Sequence, residues 1–345
     1  MRRRYWIILA AIPVLLLAGD VAYWQLAVAR LRSGLQARVA ALRSKGWEVA
    51  LGQPSSGGWP YAATLTVPNL MLRHTGPDMP GLVRFASASV TLSVPLYDPT
   101  SLAIVLDGPQ HIQVGPAQDM IATGESIALR TALVVGDTLP LTLRAHELRL
   151  EPAGGGWHVT VGLLSADADI ALAADPARPA ATFAVSSEAI GLPATMRSPL
   201  GSTISSLSFD GKLNGQLPPP GPIASWAEAW RDGGGSLEIA HLAVGWGPLG
   251  VTGGASLALD DQLQPMGSGT THLVGYAEAL DKLAAGAVLT KSAATAAKAV
   301  LSLLAGSGAG NEPASVDVPL TLQYRTLSMR QVPLLRLPEL DWPAQ

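Results

Sequence analysis

The chain of 345 residues predicts a mainly β protein: a large curved antiparallel sheet, left open as a groove or curled into two layers, with a transmembrane helix at its amino terminus and one Ala/Leu-rich helix near its carboxyl terminus. Three observations predict it. Apolar and polar residues alternate with a period of two in segment after segment. The 36 glycines and 27 prolines punctuate a chain that is 48% apolar and 14% charged, too hydrophobic and too interrupted for disorder or a helical bundle. The first residues join three arginines to a long apolar run.

Strands come first because they occupy most of the chain. Ala63, Leu65 and Val67 alternate with Thr64 and Thr66, and Val90, Leu92 and Val94 alternate with Thr91 and Ser93. Trp157, Val159, Val161 and Leu163 follow the same rule, as do Val316, Val318, Leu320 and Leu322 near the end. LDGP, VGDTLP, FDGK and DGGG supply turns between such runs. A meander this long must close, fold over or curl, and its apolar face needs a cover. If part of that face stays open for a ligand, Leu65, Val67, Val90, Leu92, Val94, Trp157 and Val159 are the residues expected to line it. The phase of LTLRAHELRL slips at Glu147, which reads as a β-bulge.

At the amino terminus Arg2, Arg3 and Arg4 precede an apolar run from Tyr5 to Gly19, and only Asp20 and Gln25 interrupt it before Ala29. About 20 helical residues cross a bilayer core. Trp6, Ile7, Ile8, Leu9, Leu15, Leu16, Leu17 and Trp24 are therefore expected to form a membrane anchor, its two tryptophans at the interfaces. The arginines predict a cytoplasmic amino terminus and an exported body, in a bacterial inner membrane and periplasm. A cleaved signal peptide is the competing reading. LLLAGD resembles a lipoprotein cleavage box, but Asp20 stands where the acylated Cys would be. Helical spacing then continues through Val28, Leu31, Leu35, Val39 and Leu42, with Arg30, Arg32, Arg38 and Arg43 among them.

Three regions follow: residues 1–45 as anchor and helical extension, 46–217 as the first half of the β domain, and 223–345 as the second, divided by QLPPPGP. The second half carries one helix over 276–305, followed by a loop at 306–313.

Composition narrows the chemistry. A net charge of −3 and few aromatics give neither a basic surface nor stacking platforms for nucleic acid. The absence of cysteine removes disulfides, thiolate nucleophiles and thiolate metal sites. Six histidines occur without metal spacing, and there is no nucleophile elbow or phosphate loop. Asp167 and Asp169 could share a strand face and hold a cation, although a solvated turn or edge is the simpler reading. No catalytic residue, metal or cofactor is expected.

Several features in order carry a resemblance: the single amino-terminal span, the helix exit at KGW, GWPY entering an alternating strand, the block DGGGSLEIAHLAVGWGPLGVTGGASLALDDQLQPMGSGT, an Ala/Leu helix, and the strand VDVPLTL before a Leu/Pro-rich tail. Over essentially its whole length the chain resembles a bacterial envelope family, domain of unknown function 2125. It departs in the tail, where Arg336 stands near a position at which the family tends to carry Gly. A looser similarity, of architecture only, is to AsmA-like envelope proteins. The resemblance implies a membrane-tethered protein whose β groove handles lipid or another apolar envelope molecule without catalysis. The alternative is an envelope scaffold with a closed core, acting through contacts with other proteins. The resemblance also gives GGWPY a structural role: Gly57 and Gly58 allow the turn, Trp59 seals the end of the apolar face, and Pro60 starts the strand.

Overall fold

The computed structural model describes residues 2–76, 82–115, 119–134, 136–173, 178–218, 221–305, 315–329 and 332–342, with the side chains of 2–14, 304 and 305 outside that description. Residues 306–313, read as a loop, also lie outside it. One antiparallel sheet of 17 strands dominates. Its first part comprises β1 (Glu48–Ala50), β2 (Ser55–Gly57), β3 (Ala62–His74), β4 (Val83–Pro95), β5 (Ser101–Val114), β6 (Met120–Thr123), β7 (Ser126–Ala132), β8 (Thr138–Pro152) and β9 (Val159–Ala171). It continues through β10 (Ala181–Gly191), β11 (Thr203–Asn214), β12 (Ser236–Trp246), β13 (Leu249–Leu259), β14 (Pro265–Val274), β15 (Ser315–Gln323), β16 (Thr326–Met329) and β17 (Val332–Arg336).

The pairing is a meander in chain order. β1 and β2 share one edge of β3, and β6 and β7 together fill the place between β5 and β8. From β8 to β17 each strand pairs with the next. β11 and β12 pair directly across the Pro-rich stretch at 216–222, so the sheet runs unbroken through both halves of the chain.

A crease crosses this sheet. Asn69, Gly108, Glu147 and Ala189 all have positive φ, at 50°, 76°, 48° and 54°. The register aligns them. Asn69 lies opposite Ala88, Glu147 opposite Gly162, Gly162 opposite Ala189, and Ala189 opposite Ser205. Gly108 approaches Ala88 so closely that a Cβ there would sit 3.1 Å from the Ala88 Cβ. At each kink the strand changes phase, and apolar side chains three apart fall on the same side. Ala145 and Leu148 thus share a core with Val161 and Ile127. The bulge expected at Glu147 is such a kink without an inserted residue: the pairs His146–Leu163 and Leu148–Val161 keep their register while the left-handed residue between them shifts the phase.

Four helices accompany the sheet. α1 (Arg2–Ser44) would extend about 64 Å at 1.5 Å per residue. Its second half packs on the start of the sheet, where Val28 and Leu31 are buried with Ala63 and Val94. The Trp24 indole N–H donates to the carbonyls of Gly57 and Ala62, both at 3.1 Å, and Arg43 donates to the Val49 carbonyl at 2.7 Å. α2 (Ile223–Asp232) stands in the β11–β12 connection, its Trp226 and Trp230 stacked with centroids 6.4 Å apart.

The helix expected over 276–305 is two helices, α3 (Tyr276–Ala285) and α4 (Lys291–Ala305). α3 closes at Gly286, Ala287 turns left-handed at φ 57°, and the Thr290 hydroxyl caps α4 by accepting from the Ala293 N–H. Both helices pack on the late strands, where Tyr276, Val316 and Val318 form a core with Leu280 and Leu301.

Candidate functional site

Cross-strand neighbours trace one apolar row over twelve strands: Leu65, Leu92, Ile104, Leu129, Leu143, Ala166, Val185, Phe209, Leu242, Gly253, Thr271 and Val318. Thr271 is the single polar member. One residue along the strands, the row Arg144, Ser165, Ser186, Ser208, Ala243, Thr252, His272 and Asp317 lies on the opposite face and is polar but for Ala243. The sheet is therefore two-faced across its width. Helices bury the two ends of the apolar row, Leu65 with no exposed surface and Val318 at 4%, while every member between them is half-buried.

Two hollows open on that row. One, of about 600 Å³, lies between α1 and the sheet, lined by Leu26, Leu31 and Leu35 of α1 and by Leu92, Val94, Leu102, Ile104 and Leu139 of the strands, with Arg30 and Arg38 at its rim. The other, of about 170 Å³, lies over β12 to β16 and includes Leu242, Gly253, Thr271, Leu320 and Leu327. Missing side chains make the second hollow. Gly267 faces it, and a Cβ there would meet the Ser256 carbonyl oxygen at 2.1 Å, so only glycine allows β13 and β14 to approach this closely.

The expected lining residues divide. Leu65 and Val67 are buried beneath the first hollow's neighbourhood, Val90 is buried beside them, and Leu92 and Val94 line the hollow itself. Val159 lies on the same apolar face farther along, at the edge of the Ala145 core, and is not brought to either hollow. Trp157 precedes β9 and is exposed. Sequence reasoning passed over Leu102, Ile104 and Leu139, whose alternation is legible but whose proximity to α1 is not. It also passed over Arg30 and Arg38 as members of the site.

Among the anchor residues, Leu15, Leu16 and Leu17 are exposed on α1, and Trp24 is drawn into the sheet's first core. Trp6, Ile7, Ile8 and Leu9 lie outside the residues whose side chains are described. Among the described residues no helix is long and apolar enough to cross a membrane.

The tryptophans act as clamps. Trp226 donates to Pro218 O, Trp230 to Asn214 O, Trp246 to Gly201 O and Trp342 to Leu263 O, each between 2.9 and 3.1 Å. Trp59, expected to seal the apolar face, is 45% exposed and turns to α1 instead. No tryptophan lines either hollow.

Polar groups gather in pairs. Asp167 accepts from the Thr142 hydroxyl at 2.8 Å and from Arg144 at 3.1 Å, and these two contacts, the hydroxyl first, lower its pKa from the usual carboxylate value. That explains Asp167 as one half of a cross-strand ion pair. His272 meets Asp317 at 2.8 Å and His111 meets Asp119 at 3.4 Å. Among the described residues no three His, Asp or Glu side chains come together as metal ligands.

Residues 24–338 match a family described as an uncharacterized protein conserved in bacteria, DUF2125. The chain belongs to that family. The match begins at the Trp24 clamp and ends just past β17, so it takes in the docked half of α1, both hollows and the whole apolar row. No curated protein and no solved structure matches the chain.

Proposed function

We propose that this protein is a non-enzymatic, inner-membrane-anchored periplasmic protein that binds or passes lipid, or another apolar envelope molecule, along the apolar face of its sheet. The observation that carries the reading is the row from Leu65 to Val318, with an unfilled hollow on it near each end. A half-buried apolar strip of this length is unusual on a folded protein unless something covers it. The anchor is supported by Arg2, Arg3 and Arg4 before an apolar run, and by Leu15 and Leu16, which are 70% exposed on α1. The likeness to AsmA-like proteins belongs to this proposal and rests on architecture.

Native mass spectrometry of the full chain, purified from a bacterial envelope in mild detergent, tests it. A lipid mass at defined stoichiometry is expected, lost in Leu133→Asp at the exposed rim of the larger hollow and kept in Arg130→Gln on the polar face. Protein that carries no apolar mass would reject the reading.

The scaffold alternative has one specific observation in its favour. β17 is a sheet edge with every residue exposed, including Val332, Leu334 and Leu335, and such an edge can accept a strand from another protein. Loss of a co-purifying envelope protein when Leu334 is changed to Pro, with bound lipid unaffected, would favour it.

A further inference from the structure

The hollow under α1 differs from its counterpart over β12 to β16 in one respect: it has charge at its rim and the charge is all of one sign. Arg30 and Arg38 both line it, none of its lining residues is acidic, and the wall beneath is Leu, Val and Ile. Among the described residues neither guanidinium has an ion-pair partner. They are eight positions apart on α1, about 12 Å along the axis, so they stand at separate points of the mouth. Both are exposed, and the surrounding helix carries Arg32 and Arg43 with Asp20 as its sole acid between residues 15 and 44.

An apolar wall with a cationic rim is complementary to an amphiphile with an anionic head. We infer that this hollow takes one acyl chain of an anionic lipid, and that Arg30 and Arg38 hold its headgroup; the inference rests on the lipid reading above. The volume of about 600 Å³ has room for roughly twenty methylene-sized groups at about 30 Å³ each, one acyl chain rather than two. Guanidinium suits the head because its planar donors pair with two phosphate oxygens at once, and because it stays charged at every physiological pH. The stem of each arginine lies along the apolar wall while its head remains in water, so the same residue can contact both parts of the ligand.

The test titrates the full chain, held in a nonionic detergent, with lysophosphatidylglycerol and with lysophosphatidylcholine of equal chain length, reading occupancy by native mass spectrometry. About tenfold tighter binding of the anionic lipid is expected, the gain from one charge-assisted contact. In the Arg30→Gln/Arg38→Gln protein the two lipids bind alike, at the affinity the choline lipid has for the unaltered chain, and Arg130→Gln keeps the preference. Equal binding of both lipids to the unaltered chain overturns the headgroup assignment and leaves the lipid reading standing. A preference that survives the double substitution places the headgroup elsewhere and also overturns it. Binding of neither lipid removes the lipid reading itself, and the inference with it.

Discussion

Trp59 donates its indole N–H to the Asp20 carboxylate at 2.9 Å, joining the turn before β3 to α1 across 39 residues of chain. The bond fixes where the helix leaves the sheet, because Trp24, one turn farther on, clamps the same turn through Gly57 and Ala62. Asp20→Ala and Trp59→Phe should each lower stability, and a double-mutant cycle in urea should return a coupling of about 1 kcal/mol. Additive losses would mean that the bond does not persist in solution.

The crease gives a prediction opposite to the usual rule for strands. Ala189 is left-handed at φ 54°, which costs an L-residue about 1–2 kcal/mol, so Ala189→Gly should raise stability by up to about 1 kcal/mol. Ala184, exposed in the same strand and outside the crease, is the control: Ala184→Gly should lower stability by about 0.5–1 kcal/mol. Thermal unfolding of the two variants in parallel separates the effects. If both variants are destabilised, Ala189 does not hold this conformation.

The period-two signal made the strands legible because the sheet has one wet face. At Leu65–Val67 and Val90–Val94 the expected phase is the phase found. The crease was legible only at Glu147, where the slip interrupts a long alternating run. At Asn69 and Ala189 the left-handed residue is not glycine, and nothing in composition marks it. The break between α3 and α4 was hidden for a related reason, since Gly286 and Ala287 sit inside an Ala-rich stretch whose periodicity continues past them. The site was half legible. Strand alternation identifies Leu92 and Ile104 as facing one way, but that α1 lies over them, and not over other strands, depends on contacts such as Val28 against Val94 that no local pattern encodes.

Close packing of β13 against β14 can be tested at the second hollow. Gly267→Ala should destabilise by about 2 kcal/mol, although alanine is ordinarily the better residue, because its Cβ would fall 2.1 Å from the Ser256 carbonyl oxygen and force the strands apart. A neutral or stabilised variant would show that the strands separate without cost. The hollow would then owe nothing to that glycine.

Asp167 predicts a small acid dependence. Its pKa is lowered in the folded protein, chiefly by the Thr142 hydroxyl and then by Arg144, so its contribution is fully present above about pH 4 and disappears as pH falls through the folded value. Asp167→Asn should therefore be less stable than the unaltered chain at pH 7, by less than about 1 kcal/mol because the carboxylate is 49% exposed, and the difference should vanish in acid. A difference that grows as pH falls would have the wrong sign for this pair.

The docked half of α1 belongs to the fold as well as to any tether. Leu31 is 7% exposed in a core with Val28, Ala63 and Val94, so Leu31→Ala should cost about 2–4 kcal/mol in denaturant unfolding of the full chain. Gln36, exposed on the same helix, should tolerate Ala within about 0.5 kcal/mol. If Leu31→Ala proves as mild as Gln36→Ala, α1 does not rest on the sheet in solution. The larger hollow would then lose the wall that carries Arg30 and Arg38, and lipid selectivity would have to be sought on the sheet alone.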